Sequence, residues 1–249
     1  MFRIVLSEAD LLKNSIPIIA DIIDEGVFTI DQNGISLVTP DRTMVSVVDL
    51  KILSAAFDEY KIDAPATIGL NLANLAAVLR RVKSTDKIIL DSGKGDKLKI
   101  TVEGSGTRTF EIPLIDIKTE KPPVEQLNFG GKVELETSVV EEGIADAEVI
   151  GDSVIFEAGP TGFKMYAKGD VSSAELELKK GTDRLLDLKA EKPIKSQYPL
   201  DYLKKMIKAG KLSKQMLLEF GTDYPIRMTF KAIDKLNLSI ILAPRVSED

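Results

Sequence analysis

The chain has 249 residues with 33 basic against 39 acidic side chains, and its net charge of -6 argues against a surface coated in positive charge for nucleic acid while leaving the distribution of charge open. It contains neither cysteine nor histidine, which removes disulfides, thiolate and imidazole metal ligands, Ser-His-Asp and Cys-His nucleophiles, and the general acid-base group that works most readily near neutral pH. No apolar run approaches the ~20 residues of a membrane helix, and Met1-Phe2-Arg3-Ile4-Val5 runs into Glu8 and Asp10, so secretion and membrane insertion are not expected.

From the amino terminus, Leu11, Leu12, Ile16, Ile19 and Ile23 recur at helical spacing and predict an amphipathic helix over 8–23. Pro17 falls inside it and is expected to delete one backbone bond, kinking or shortening the helix. Alternation with Gly or Asn-Gly punctuation predicts strands over 26–31, 34–39, 44–50, 86–91, 97–102 and 107–113, with Asn33-Gly34 a strong hairpin signal. Leu72, Leu75, Val78, Leu79 and Val82 predict a second amphipathic helix over 72–83. Residues 116–126 then read as a linker, because Pro122-Pro123 force extended backbone among polar neighbours.

The rest of the chain repeats this plan at a fixed offset. Gly34 and Gly162 lie 128 positions apart, and the same shift carries Leu72, Leu75, Val78 and Leu79 onto Leu200, Leu203, Met206 and Ile207. It also carries Leu98, Ile100 and Val102 onto Ile226, Met228 and Phe230, and Phe110 and Ile112 onto Leu238 and Ile240. An ungapped offset held from about residue 8 to 112 is the mark of a duplication. The expected organisation is α+β: a domain at 1–116, a linker at 117–127 and a domain at 128–249, each with a sheet and two helices whose apolar stripes cover one sheet face. Third and fourth helices are expected over 136–149 and near 199–211, and Ala145 replaces Pro17 in the third.

Positive charge is uneven over the four helices. The first carries Lys13, the second Arg80, Arg81 and Lys83, the third no cation, and the fourth Lys204, Lys205, Lys208 and Lys211. Lys204, Lys208 and Lys211 are spaced to share one helical face, and Arg80 is the repeat counterpart of Lys208. A cation at the same helical position in both copies of an acidic chain points to a polyanion, although a solvated lysine face reads the same way. No Gly-rich loop or base-reading motif accompanies these cations, so any contact would be with phosphates. Such contacts give dissociation constants of roughly 10⁻⁴ to 10⁻⁶ M, and durable attachment would need topology instead.

Several segments together resemble the proliferating cell nuclear antigen family of sliding clamps, especially its archaeal members. They are Asp24-Glu25-Gly26-Val27-Phe28, Asn33-Gly34-Ile35-Ser36-Leu37, Ile68-Gly69-Leu70-Asn71-Leu72, Thr107-Arg108-Thr109-Phe110, Pro113-Leu114-Ile115-Asp116 and Leu242-Ala243-Pro244-Arg245-Val246. The resemblance implies the DNA clamp fold: a trimer of two-domain subunits forming a pseudo-sixfold ring, helices inside and sheets outside. Twelve helices of ~10 Å width at ~9 Å spacing leave a bore of roughly 25 Å, enough for duplex DNA and a water layer.

By position, the resemblance sets residues 107–113 of one subunit against 172–178 of the next, with Thr107, Thr109, Phe110 and Ile112 facing Ser173, Glu175, Leu176 and Leu178. The matching hole-lining cations are Lys13, Arg80 and Lys208, with Lys83, Lys204 and Lys211 as additions. Glu142, Ala145 and Val149 stand where the third helix of relatives carries basic residues, which makes a heteromeric ring with more basic siblings conceivable. A groove for a short peptide with aromatic anchors is implied at Pro40, Met44, Val45, Val47, Pro225, Ile241, Ala243 and Pro244, rimmed by Pro123 and Val124.

The implied partners are duplex DNA, copies of the same chain, DNA polymerase, the clamp loader, flap endonuclease and DNA ligase. The implied location is the cytoplasm, at the nucleoid. No cofactor, metal or catalytic residue is implied. Two other classes compete with the clamp. A carboxylate-dependent enzyme would need acidic residues converging on a cleft, whereas here they are scattered; a protein scaffold unrelated to DNA would keep the peptide groove without binding duplex.

Overall fold

The computed structural model describes residues 1–92, 95–118 and 122–245. The chain runs β1 (Phe2–Leu6), α1 (Asp10–Ala20), β2 (Glu25–Asp31), β3 (Gly34–Pro40), β4 (Ser46–Leu53), β5 (Glu59–Ile62), β6 (Ala66–Asn71), α2 (Leu72–Leu79), β7 (Lys87–Ser92), β8 (Lys97–Glu103) and β9 (Thr107–Pro113). It then repeats as β10 (Gly131–Glu136), α3 (Thr137–Ile150), β11 (Ser153–Gly159), β12 (Gly162–Lys168), β13 (Ser173–Lys179), β14 (Leu185–Lys189), β15 (Ile194–Pro199), α4 (Leu200–Met206), β16 (Gln215–Phe220), β17 (Ile226–Ala232) and β18 (Leu236–Leu242). Strands β2, β3, β6 and β7 fall on β11, β12, β15 and β16 at the 128-residue offset without a gap, and every other element has a counterpart within a few residues.

Contacts divide the chain into two units, Met1–Pro122 with Lys231–Leu238, and Pro123–Phe230 with Ser239–Asp249. The short stretch Lys231–Leu238, expected in the carboxyl-terminal domain, groups with the first unit because Leu53 N–H donates to Lys235 O at 2.9 Å and Lys235 Nζ lies 3.5 Å from Glu8. Of the expected linker, residues 119–121 lie outside the described residues, as does Val246 of the final motif.

In the first unit the antiparallel order β5-β1-β7-β8-β9 forms one sheet, and β4-β3-β2-β6 form another set of hydrogen-bonded neighbours. Helices α1 and α2 pack side by side, burying Leu12, Ile16, Ile18 and Ile19 with Leu72, Leu75, Ala76 and Leu79. Asn71 caps α2 by accepting from Asn74 N–H at 3.0 Å, satisfying one of its free amino-terminal donors. Pro17 stays within α1, which has 11 residues against 14 in α3, so the expected shortening is seen. The core encloses an apolar cavity of about 40 Å³ among Phe2, Phe28, Ile35, Leu70 and Leu75.

The second unit keeps the plan, with β14-β10-β16-β17-β18 neighbours and a sheet β13-β12-β11-β15. Its centre is aromatic: Phe156 lies 6.0 Å from Phe163, 5.6 Å from Tyr198 and 6.2 Å from Phe220 between ring centroids. The pairs with Tyr198 and Phe220 are edge-to-face, a packing that stabilises beyond area burial by about 0.5–1.5 kcal/mol per pair.

Candidate DNA-facing helices, strand edges and partner groove

Among the described residues six strands end their sheets, β5, β6, β9, β13, β14 and β15, and two of them, β9 in the first unit and β13 in the second, are the strands expected to pair between subunits. Antiparallel ladders alternate bonded and non-bonded pairs, so bonds at the ends of a strand fix the direction of every group between them. Gly104 N–H donates to Gly106 O and Leu114 N–H to Asp96 O, which turns the backbone groups of Arg108, Phe110 and Ile112 toward β8. Those of Thr107, Thr109 and Glu111 point to the open edge. Gly169 N–H to Ser172 O and Lys180 N–H to Thr161 O turn Ala174, Leu176 and Leu178 toward β12, leaving Ser173, Glu175, Glu177 and Lys179 to face out. Of the eight expected interface residues, Thr107, Thr109, Ser173 and Glu175 offer backbone groups to the edge and Phe110, Leu176 and Leu178 are half-buried beside it, while Ile112 is buried in the core.

The β9 edge is held by Arg108, whose Nη1 donates to Arg81 O at 3.1 Å and whose Nη2 meets the buried carboxylate of Asp86 at 2.8 Å. Exposed Arg81 and Lys83 lie beside that anchor. On the β13 side, α3 presents exposed Glu141, Glu142, Asp146 and Glu148. Arg184 hydrogen-bonds Glu142 at 2.8 and 3.0 Å, which holds that carboxyl below its usual range, and also reaches Glu136 and Ser138.

The expected DNA-facing cations lie on the solvent side of their helices. Arg80, Lys83, Lys204, Lys208 and Lys211 are exposed and Lys13 is half-buried. Carboxylates from the adjacent helix or its end meet Arg80 and Lys204: Arg80 Nη2 lies 3.5 Å from Asp21, and Lys204 Nζ pairs with Glu148. One expectation needs correcting. The fourth helix is not continuous over 199–211; α4 stops at Met206 and Ile207–Leu212 tightens into a 3₁₀ helix. Lys208 and Lys211, three apart, therefore eclipse on the tighter turn instead of following Lys204 along one α-helical face. Within this 3₁₀ stretch Gly210 sits close against α3: a side chain there would come within 2.6 Å of Thr137 and 2.7 Å of Glu141.

The groove residues divide between the units and are described on each. In the first, the buried carboxylate of Asp41 accepts from Val45 N–H at 2.8 Å, Ser46 N–H at 2.7 Å, Thr43 N–H at 3.2 Å and the Thr43 hydroxyl. This loop forces Met44 to a left-handed φ of 59° while leaving it 71% exposed, a costly conformation for a side-chain-bearing residue. The strand expected from residue 44 accordingly begins at Ser46. Pro40, Val45 and Val47 are half-buried around the loop.

In the second unit Pro225, Ala243 and Pro244 are half-buried and Pro123 is exposed, but Val124 and Ile241 are buried, so these two support the surface instead of opening onto it. Phe129, Tyr224 and Arg227 join them: the Phe129 ring packs edge-on to Tyr224 at 5.8 Å and lies 4.7 Å from the Arg227 guanidinium. Sequence reasoning missed these three, and it counted Arg81 among the helix cations without placing it beside the β9 edge.

Residues 1–121 match the model of the proliferating cell nuclear antigen amino-terminal domain, and residues 124–245 that of its carboxyl-terminal domain. The chain belongs to the proliferating cell nuclear antigen family. Similar family members include the DNA polymerase sliding clamp of Thermococcus gammatolerans, 36% identical over 99% of both chains, and that of Pyrococcus furiosus, 34% identical over the same share. The fold is similar to a crystal structure of the proliferating cell nuclear antigen of Thermococcus kodakaraensis, with a TM-score of 0.92 and 26% identity over 98% of this chain and 100% of that one. Among the described residues no group of three or more acidic side chains is placed to hold a metal ion, and no helix is long and apolar enough to cross a membrane.

Proposed function

We infer that the chain is a DNA polymerase sliding clamp: it closes head-to-tail with two further copies into a ring around duplex DNA and tethers the polymerase to its template. It is not an enzyme, in keeping with its family. The observation that carries the ring reading is that, of the six strands that end sheets, β9 and β13 are the repeat counterparts of β18 and β4, which Leu53 N–H and Lys235 O join, and each directs alternate backbone groups outward.

The duplication supplies a template for their pairing. Strand β18 is the counterpart of β9 and β4 that of β13, and within the first unit Leu53 N–H donates to Lys235 O. Shifted by one repeat, the same bond would run from the Gly181 N–H of a second copy to Thr107 O. Charge supports the match, since Arg81 and Lys83 border one edge and Glu142 and Asp146 the other.

Lys13, Arg80, Lys83, Lys204, Lys208 and Lys211 would then face the phosphates, and the Met44 loop with Pro225, Ala243 and Pro244 would receive a short aromatic-anchored peptide from polymerase, clamp loader, flap endonuclease or ligase. The protein acts in the cytoplasm on nucleoid DNA. Light scattering across a dilution series tests the assembly. A mass near three times 27.3 kDa that persists on dilution is the expected result. A persistent monomer would instead favour one subunit of a heteromeric ring, the reading that the acidic face of α3 keeps open.

A further inference from the structure

Glu219 is a buried carboxylate that neither the DNA-facing helices nor the open edges use. It stands opposite Arg227 in the β16–β17 register, with Arg227 Nη1 at 3.3 Å and Lys132 Nζ at 2.8 Å. Arg227 also donates Nη2 to the Val124 carbonyl at 2.7 Å and lies over the Phe129 ring. Its side chain is only 22% exposed. Val124 opens the short 3₁₀ turn Val124–Gln126 at the carboxyl-terminal end of the linker segment. The Thr229 and Ser239 hydroxyls meet at 2.9 Å between β17 and β18, and two residues further along these strands are Arg227 and Ile241, so the arginine stands next to a groove residue.

A carbonyl held by a charged donor is bound more firmly than one held by a neutral group, and releasing it would leave a partly desolvated guanidinium short of a bond. We propose that Arg227 is a positioning residue for partner-peptide recognition, fastening the linker at Val124 onto β17 beside Ile241 so that the groove's rim is set before a peptide arrives. This rests on the peptide-groove reading above. Rigidity in advance of binding lowers the ordering cost a peptide meets, so the effect falls on affinity and not on the rate of a saturated complex.

The test uses the full-length clamp with its replicative DNA polymerase on a primed template, measuring the clamp concentration for half-maximal extension separately from the maximal rate. Hydrogen exchange at Gln126, whose N–H donates to Pro123 O at 3.1 Å, is followed alongside. Arg227→Ala is expected to raise the half-maximal concentration about tenfold with the maximal rate kept, and to speed exchange at Gln126. Arg227→Lys, which keeps the charge for Glu219 but lacks the planar fork, should fall between. Met44→Glu checks the groove itself. Loss of stimulation in Met44→Glu with wild-type behaviour in Arg227→Ala would overturn the proposal and leave the groove standing; wild-type behaviour in both would overturn the two together. Should Arg227→Ala fail to fold, Arg227→Gln takes its place in the same measurements, and wild-type behaviour there overturns the proposal in the same way.

Discussion

Gly69 and Gln197, one repeat apart, both give their backbone carbonyl to the chain leaving the last strand of their own half: Ile115 N–H donates to Gly69 O at 2.9 Å and Arg245 N–H to Gln197 O at 2.7 Å. The two exits differ in tightness. A side chain at Gly69 would come within 2.1 Å of Ile115 O, whereas Gln197 carries one and uses it to donate to the Ser153 hydroxyl. Gly69→Ala should therefore displace Ile115, speed its amide exchange and cost about 1–3 kcal/mol, while Gln197→Ala should lose only the one side-chain bond. Equal exchange at Ile115 in Gly69→Ala and wild type would refute the close-approach argument.

Proline at Glu175 removes a donor that points to the open edge, not one that holds β13 to β12. Glu175→Pro should thus keep the fold while shifting solution mass toward monomer. An unaltered mass by light scattering would count against β13 as an assembly edge.

Replacing Arg80, Lys204 and Lys208 with Glu should weaken polymerase stimulation while leaving the solution mass unchanged, because the proposed pairing uses backbone groups of β9 and β13 and not these side chains. Relieving their partners acts in the opposite sense. Asp21→Asn with Glu148→Gln frees Arg80 and Lys204 for phosphates, and the slope of DNA affinity against salt should steepen by up to about one for each cation released. Unchanged slopes in both sets of variants would discredit the DNA-facing assignment.

Burial pushes the Tyr60 phenol up to about 12, and its hydroxyl donates to Asp31 O at 2.8 Å. A phenol with a raised folded-state pKa favours the folded chain below the ordinary value of 10.0 and loses that contribution as pH climbs through the folded value. Stability should fall between pH 10 and about 12, and Tyr60→Phe should flatten part of that decline in denaturant titrations. An identical alkaline profile in Tyr60→Phe would remove Tyr60 as the cause.

The duplication was legible in the chain because an ungapped repeat keeps apolar positions in register, and β2, β3, β6 and β7 recur at the expected shift. Other elements left weaker marks. Strand β1 buries four of its five residues and so does not alternate, and β5 has only four residues. The lysine spacing near 204–211 could not register the change to a 3₁₀ helix at Ile207, nor the close approach of Gly210 to α3. Cations were visible as residues, but Asp21, Glu148 and Arg184 meet their partners from other elements. Arg227 carried no local signal at all, since the carbonyl it holds is 103 positions away.

The two edges proposed to pair are unlike each other: β9 comes from the first half of the chain and β13 from the second. Copies joined through them cannot meet by a twofold axis, so each must follow the last in the same orientation. An assembly closed in this way would have a front and a back, and every copy of Met44 would take the same orientation within it. A duplex threaded through such a ring would meet docked enzymes from one direction only, which gives the tether a polarity that its sequence-independent grip on DNA could not supply.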